Sequence, residues 1–249
     1  MRYDLFVAKR LNISRNKALE LIENEEILLN SKIFKSSFNI KNLFKNNTLS
    51  EEEILSSKEL NLEPLSKTYV SRAALKLKNF LQDKDIDIRD KICLDIGSST
   101  GGFVQILLEN QALKVVALDV GDNQLHSSLR DNAKIKIVEN TDLRAFESKE
   151  KFDIITCDVS FISLHHLMFY IDSLALKDII LLFKPQFEVG KNVKRNKKGV
   201  VQDEKEIQKV RKEFEKACMR LGWVLKNCEE SKIKGKEGNV EYFYHYCKK

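Results

Sequence analysis

"LDIGSSTGGF", residues 94–103, sets three glycines among small hydroxyl residues, between one apolar run and the start of another. The run before it, "ICLDI", lacks polar alternation, as a strand buried on both faces requires, and a helical pattern follows from about residue 102. Glycines at such a strand-to-helix turn lie at the edge where open α/β sheets bind ligands. A Walker P-loop would need lysine after its second glycine, and Phe103 stands there. The dinucleotide fingerprint G-x-G-x-x-G fails too, because the observed spacing is G-S-S-T-G-G. What remains is D-x-G-x-x-x-G-G from Asp95, followed by Asp119 at the end of the next strand. An acid at that point suits the two hydroxyls of a nucleoside ribose, and the glycines let the methionine portion of S-adenosylmethionine lie against bare backbone. The plain alternative is a tight turn with no ligand, and Asp119 in its place favours the ligand.

Outward from this stretch the chain alternates. The apolar pattern predicts strands over 91–96, 114–119, 134–138, 152–157 and 178–183, with helices from 102, over 123–130 and over 162–175. Such alternation gives right-handed βαβ crossovers and a mostly parallel, doubly wound sheet. A long charged helix over about 203–221 and two closing strands, "WVLKNCEES" and "NVEYFYHYC", add an antiparallel terminal hairpin. Before the sheet, "SRAALKLKNFL" reads as a helix with Ser71 as its cap.

Residues 1–60 read as a separate small α+β domain. Two helices, the second capped by Ser14, precede a strand, a turn at Asn30–Ser31 and another strand. Residues 1–45 hold nine Lys/Arg against five Asp/Glu, with Lys9, Arg10, Arg15 and Lys17 clustered at the helix junction as a localised basic patch, which the resemblance given below makes a candidate RNA-binding surface. From Asn46 to Ser66 the apolar period fades, which predicts a linker to about residue 66 and a second domain over 67–249.

Bulk properties narrow the class. The 249 residues carry a net charge of +6 and are 43% hydrophobic and 32% charged, which suits a soluble globular protein and permits a polyanionic partner. Five cysteines without a CxxC pair predict reduced thiols in a cytoplasmic protein and no metal site. The longest uncharged apolar stretch, Val159 to Ile171, falls short of the ~20 residues that span a bilayer, and neither a signal peptide nor membrane association is expected.

The stretches "RYDLFVAKRLNISRNKALELI", "YVSRAALKL", "CLDIGSSTGGF", "ALDVGDNQL", "CDVSFISL", "LFKPQFEVGK", "KGVV" and "GNVEYF" occur in order through nearly the whole chain. Together they resemble the TlyA, or haemolysin A, family of ribosomal RNA 2′-O-methyltransferases. The resemblance implies an S4-like RNA-binding domain joined to a Rossmann-like class I methyltransferase domain similar to the FtsJ (RrmJ) fold. It also implies methyl transfer from S-adenosylmethionine to the 2′-hydroxyl of cytidines in ribosomal RNA, as free RNA or in a subunit. The chain looks like the shorter family type, associated with the large-subunit site. A monomer is expected.

FtsJ-like enzymes use a Lys-Asp-Lys-Glu set, and the matching positions here are Lys76 in "ALKL", Asp158 in "CDVSF", Lys184 in "LFKPQ" and Glu241 in "GNVEY". A ribose hydroxyl is a poor nucleophile, which must be aligned and relieved of its proton. Lys184 is the candidate for that task, Lys76 the neighbouring charge, and Asp158 and Glu241 the orienting carboxylates. By itself Lys76 reads as a solvated helix charge and Glu241 as a cross-strand partner of a lysine; the order of the four motifs favours the site. The expected cofactor floor is Asp95, Gly97, Ser98, Gly101, Gly102 and Phe103, with Asp119 at the ribose and Asp142 at the adenine amino group, although "ENTDLR" also fits an ordinary capped turn. The basic run Lys191, Lys194, Arg195, Lys197 and Lys198 follows Lys184 closely and predicts phosphate contacts. Phe187 is a candidate for stacking on a base. Two rival classes stay open: a catalytically silent RNA-binding assembly factor, which would lack part of the set, and a pore former.

Overall fold

A computed structural model describes all residues except 24–25, 45–48, 65–68 and 249. They form two compact units, Met1–Tyr69 and Val70–Lys249.

In the first unit, α1 (Tyr3–Arg10) and α2 (Arg15–Glu23) are followed by β1 (Ile27–Leu29), a 3-10 turn over Ile40–Leu43, α3 (Glu51–Ser56) and β2 (Leu62–Pro64). Ser14 Oγ accepts from the backbone N–H of Lys17 at 3.2 Å, the expected cap. Phe6, Val7, Ala18, Leu21, Ile27 and Leu29 are buried together with Ile54 and Leu60. The turn at Asn30–Ser31 forms, both residues having positive φ, and Leu29 and Lys32 exchange backbone hydrogen bonds across it. The expected second strand does not follow. β1 pairs instead with β2, antiparallel, Leu28 opposite Glu63.

That pairing corrects the expected linker. The described part of residues 46–66 holds α3 and β2, so the first unit extends past residue 60. Helix α3 is fixed by a capping box in which Glu53 N–H donates to Ser50 Oγ and Ser50 N–H donates to Glu53 Oε2. It buries only Ile54, so its sequence carries almost no apolar period. Residues 46–48 and 65–66 of the expected linker, and the expected domain start at 67, lie outside the described residues.

The second unit runs α4 (Arg72–Leu81), β3 (Ile92–Ile96), α5 (Gly102–Glu109), β4 (Lys114–Leu118), α6 (Ser127–Arg130), β5 (Ile135–Val138), β6 (Phe152–Cys157), α7 (Met168–Leu174), β7 (Ala175–Phe183), α8 (Pro185–Glu188), α9 (Glu204–Arg220), β8 (Trp223–Glu230) and β9 (Tyr242–Lys248). The seven strands lie in the order β5-β4-β3-β6-β7-β9-β8. Pairs from β5 to β7 are parallel, and β9 runs antiparallel to both β7 and β8, as the sequence predicts.

Alternation along β9 builds both layers. Phe243 stacks on Phe80 of α4 with ring centroids 4.6 Å apart, while Tyr244 packs edge-on against Phe214 of α9 at 5.3 Å. Aromatic pairs therefore clamp helices to opposite faces of one strand. The strand order reverses between β3 and β6, the topological switch point, so the crevice outside their carboxyl ends is where a ligand fits. Among the described residues no helix is long and apolar enough to cross a membrane.

Candidate active site

The glycine turn leaves β3 at that crevice. Gly97 and Ser98 both donate backbone N–H bonds to Leu118 O at the end of β4, at 2.8 and 3.0 Å, which ties the two strand ends together. Gly97 (φ +75°) and Gly101 (φ +91°) sit in the left-handed region that disfavours side chains. The close approach these glycines permit is largely the chain's own. A Cβ on Gly97 would stand 2.8 Å from the Asp158 carbonyl oxygen, and one on Gly102 would collide with Ser71 Oγ and stand 2.8 Å from the Ala74 nitrogen. Thus Gly102 lets the N-terminus of α4 abut that of α5.

Two connected hollows open around this turn. One is lined by Gly97, Asp119, Val120, Asp142, Leu143 and Phe161, the other by Ser71, Asp95, Ser98, Gly102, Phe103, Asp158 and Lys184; Gly97, Ser99, Asp158 and Ser160 belong to both. Asp119 accepts from Ser99 N–H through Oδ2 and from Gly121 N–H through Oδ1, each at 2.7 Å. It therefore shapes the turn as well as facing the hollow, and each oxygen keeps a lone pair for a further donor. Asp95 is buried and accepts from Thr156 Oγ1 at 2.7 Å, while its Oδ2 has no hydrogen-bond partner. Burial pushes its carboxyl up to about 8, the Thr156 bond opposing and the nearby Asp158 and Asp119 carboxylates adding to the rise. Ser71 stands at the N-cap of α4 but makes no capping bond, and its buried hydroxyl is likewise without a partner. Phe103 is buried and stacks toward Phe243 at 6.1 Å, so it packs α5 onto the sheet while edging the hollow.

Asp142 is the capped turn that its local sequence allows. Its carboxylate accepts the Arg144 backbone N–H at 2.8 Å and is gripped by the Arg144 guanidinium at 2.7 and 2.9 Å, which holds it below the usual carboxylate range. It still lines the first hollow.

The four charged candidates form two ion pairs. Lys184 Nζ lies 2.5 Å from Asp158 Oδ1 and donates to Ser160 Oγ at 3.1 Å. Lys76 Nζ lies 2.6 Å from Glu241 Oε2, and Gln186 Nε2 donates weakly to Glu241 Oε1 at 3.4 Å. Asp158 directly follows β6 and Lys184 directly follows β7, while Glu241 directly precedes β9. Because Phe183 and Tyr242 are partners in the antiparallel ladder, Lys184 and Glu241 are the next residues outward on adjacent chains. Topology alone thus brings them to one edge. Lys76 is not the solvated helix charge that its surroundings in sequence suggest: its side chain is 10% exposed, and Glu241's is 3%.

Several residues at this edge escape the sequence reading. Ser160 and Phe161 follow Asp158 in "DVSF", and the position just past a buried strand that marks Asp158 marks them as well. Phe161 is 91% exposed with φ +67°, and its ring lies 5.1 Å from that of Phe187, which is half-buried. Gln186 and Glu188, on a one-turn helix, carry no period that a sequence could show.

The basic candidates divide. Lys9 pairs with Glu51, Arg15 with buried Asp4 at 2.8 Å, and Lys17 with Glu20 at 3.1 Å, while Arg10 donates to the carbonyls of Leu55 and Ser57. The expected patch is therefore partly neutralised within its own unit. None of Lys191, Lys194, Arg195, Lys197 and Lys198 makes an ion pair among the described residues, and all but half-buried Arg195 are exposed. Residues 194–202 form a small loop closed by a bridge between Arg195 and Val201.

A glycine turn at the switch point, an acid at the end of the next strand and an antiparallel strand inserted beside β7 define a Rossmann-type methyltransferase. Residues 69–248 match the model of the FtsJ-like methyltransferase family. Over the full length of both chains, the sequence is 69% identical to the 23S rRNA (cytidine-2′-O)-methyltransferase TlyA of Campylobacter jejuni. It is 37% identical to the 16S/23S rRNA (cytidine-2′-O)-methyltransferase TlyA of Mycobacterium tuberculosis, over 71% of this chain and 68% of that one. A solved structure described as a hemolysin, from Lactococcus lactis, superposes with a TM-score of 0.70 at 37% identity, covering 74% of this chain and 90% of that one. The chain belongs to the FtsJ-like methyltransferases and, within them, to the TlyA family.

Proposed function

We propose that this chain transfers the methyl group of S-adenosylmethionine to the ribose 2′-hydroxyl of a cytidine in 23S ribosomal RNA. The observation that carries the reading is the pair of lysine–carboxylate contacts, Lys184 with Asp158 and Lys76 with Glu241, at the ligand edge of a methyltransferase sheet.

The residues present fit the cofactor. Asp95 Oδ2 and Ser71 Oγ are buried polar atoms without partners beside one hollow, and the ammonium and carboxylate of an amino acid supply the missing donor and acceptor. Asp119, facing the other hollow, has acceptor capacity left for ribose hydroxyls. When bound, S-adenosylmethionine supplies an electrophilic methyl group on a sulfonium. Lys184 Nζ would take the proton of the ribose hydroxyl, leaving its oxygen free to accept that methyl group. Asp158 and Ser160 hold the Lys184 nitrogen in place for that transfer. Lys76, fixed by Glu241, adds a second cation to the same edge. Exposed Phe161 beside Phe187 offers a face on which an unstacked base can rest.

RNA phosphates are held by the exposed cations of the 191–198 run and by the first unit. Exposed ion pairs such as Lys9 with Glu51 contribute little to stability, so phosphates can take the place of the acids. The four-residue set and the glycine turn are complete, which supports an active enzyme over a silent assembly factor.

Two measurements bear on this reading. Purified chain given methyl-labelled S-adenosylmethionine and separated ribosomal subunits should label the RNA of the large subunit; label confined to the small subunit, or none, would refute it. Asp119→Ala should weaken cofactor binding roughly 10–100-fold, since hydrogen bonds to a charged group contribute about 1.5–3 kcal/mol. Calorimetry showing an unchanged dissociation constant would remove Asp119 from the site.

A further inference from the structure

The loop after β6 carries Asp158, Ser160 and Phe161, and something must hold it against the turn that carries Lys184. Its near end is fixed by Asp158 N–H donating to Ile96 O at 3.0 Å. Its far end meets the carboxylate of Glu188: Ser163 Oγ donates to Oε2 at 2.5 Å and Leu164 N–H donates to Oε1 at 2.9 Å. Glu188 is buried enough that burial pushes its carboxyl above the usual range, against the opposing bonds from Leu164 and Ser163 and the nearby His165 and His166. An acid kept at that cost has no place in the transfer step described above.

Lys184 and Glu188 bracket α8, a single turn opened by Pro185 and closed by Phe187 N–H to Lys184 O and Val189 N–H to Pro185 O. Two cross-links thus run between the same two segments, one turn apart: Lys184 to Asp158 and Ser160, and Glu188 to Ser163 and Leu164. Between them Phe161 is held at φ +67°, a conformation unfavourable for a bulky side chain that persists only where its surroundings impose it.

We infer that Glu188 is a positioning residue, whose grip on Ser163 and Leu164 sets where Asp158 and Ser160 hold the Lys184 amine. This rests on the transfer role proposed for Lys184. A lost cross-link lets the Asp158 loop drift, and a displacement near 1 Å at a reacting centre costs about 10²-fold in rate.

The test is single-turnover methylation of large subunits, with cofactor affinity and melting temperature measured on the same samples. Glu188→Ala should lower the transfer rate about 100-fold with the cofactor dissociation constant and the KM for subunits within about twofold. Glu188→Gln should recover most of that rate, because its carbonyl still accepts from Leu164 and its amide can donate to Ser163. Ser163→Ala, which cuts one arm only, should fall between. The double variant Lys184→Ala/Glu188→Ala should be no slower than Lys184→Ala, since a positioning effect has nothing left to position. A near-normal rate for Glu188→Ala, a rate loss that only tracks the unfolded fraction, or a further 100-fold drop in the double variant would overturn the inference while leaving the role of Lys184 standing. Near-normal transfer by Lys184→Ala would instead overturn that role, and this inference with it.

Discussion

Lys184→Ala is expected to bind S-adenosylmethionine and the large subunit almost normally and to lose methyl transfer by three or more orders of magnitude. General-base catalysis contributes about 10²–10⁴-fold, and misplacement of the hydroxyl adds to the loss. Lys184→Arg is expected to fail nearly as badly, because a guanidinium keeps its proton at any working pH. It is also wider and planar, whereas Lys184 is 8% exposed and held between Asp158 and Ser160. Single-turnover rates at saturating cofactor and subunits separate the two roles open to this residue. Near-normal turnover by Lys184→Arg would leave charge and position as its contribution and end its assignment as proton acceptor.

The second large effect concerns the other pair. Glu241 is 2% exposed and its carboxylate is the ion-pair partner of Lys76, so Glu241→Ala leaves a nearly buried ammonium uncompensated. Breaking such a pair from one side costs about 3–5 kcal/mol. At roughly 2–4 °C per kcal/mol for a unit of this size, the melting temperature should fall by about 10 °C. Replacing both partners by apolar residues of similar volume, Lys76→Met with Glu241→Leu, removes the stranded charge and should restore most of the lost stability. Transfer should nevertheless remain lost in the double variant. Stability and activity thereby come apart, which a purely structural ion pair could not produce: recovery of both together would assign the pair to folding alone.

Much of this arrangement is legible in the sequence where one segment decides its own structure. The mostly apolar runs of β3, β4 and β6, short and without polar alternation, fit strands buried on both faces, and the ends of those runs put Gly97, Asp119 and Asp158 at the ends of strands. What the sequence hides is set by partners far along the chain. The helix expected over 123–130 forms only from Ser127, because Glu139 accepts the backbone N–H groups of Gln124 and Leu125 while pairing with Arg130, holding the preceding residues out of the helix. Strand β2 is three residues in a polar stretch, defined by pairing with β1 more than thirty positions earlier. Lys76 looks solvated within its helix and becomes buried only because Glu241, 165 residues away, meets it. The glycines illustrate both limits. Their backbone conformations follow from their type, yet what abuts Gly102 is the start of α4, which no local pattern announces.

In this mechanism the ribose oxygen of a cytidine, and no base atom, receives the methyl group. Large subunits treated with this chain and S-adenosylmethionine can be digested to nucleosides and compared with untreated subunits by mass spectrometry. The expected result is 2′-O-methylcytidine as the new product from wild-type chain, absent when Lys184→Ala is used. A methyl group on the cytosine ring, on another nucleoside, or on nothing at all would contradict transfer to the cytidine 2′-hydroxyl.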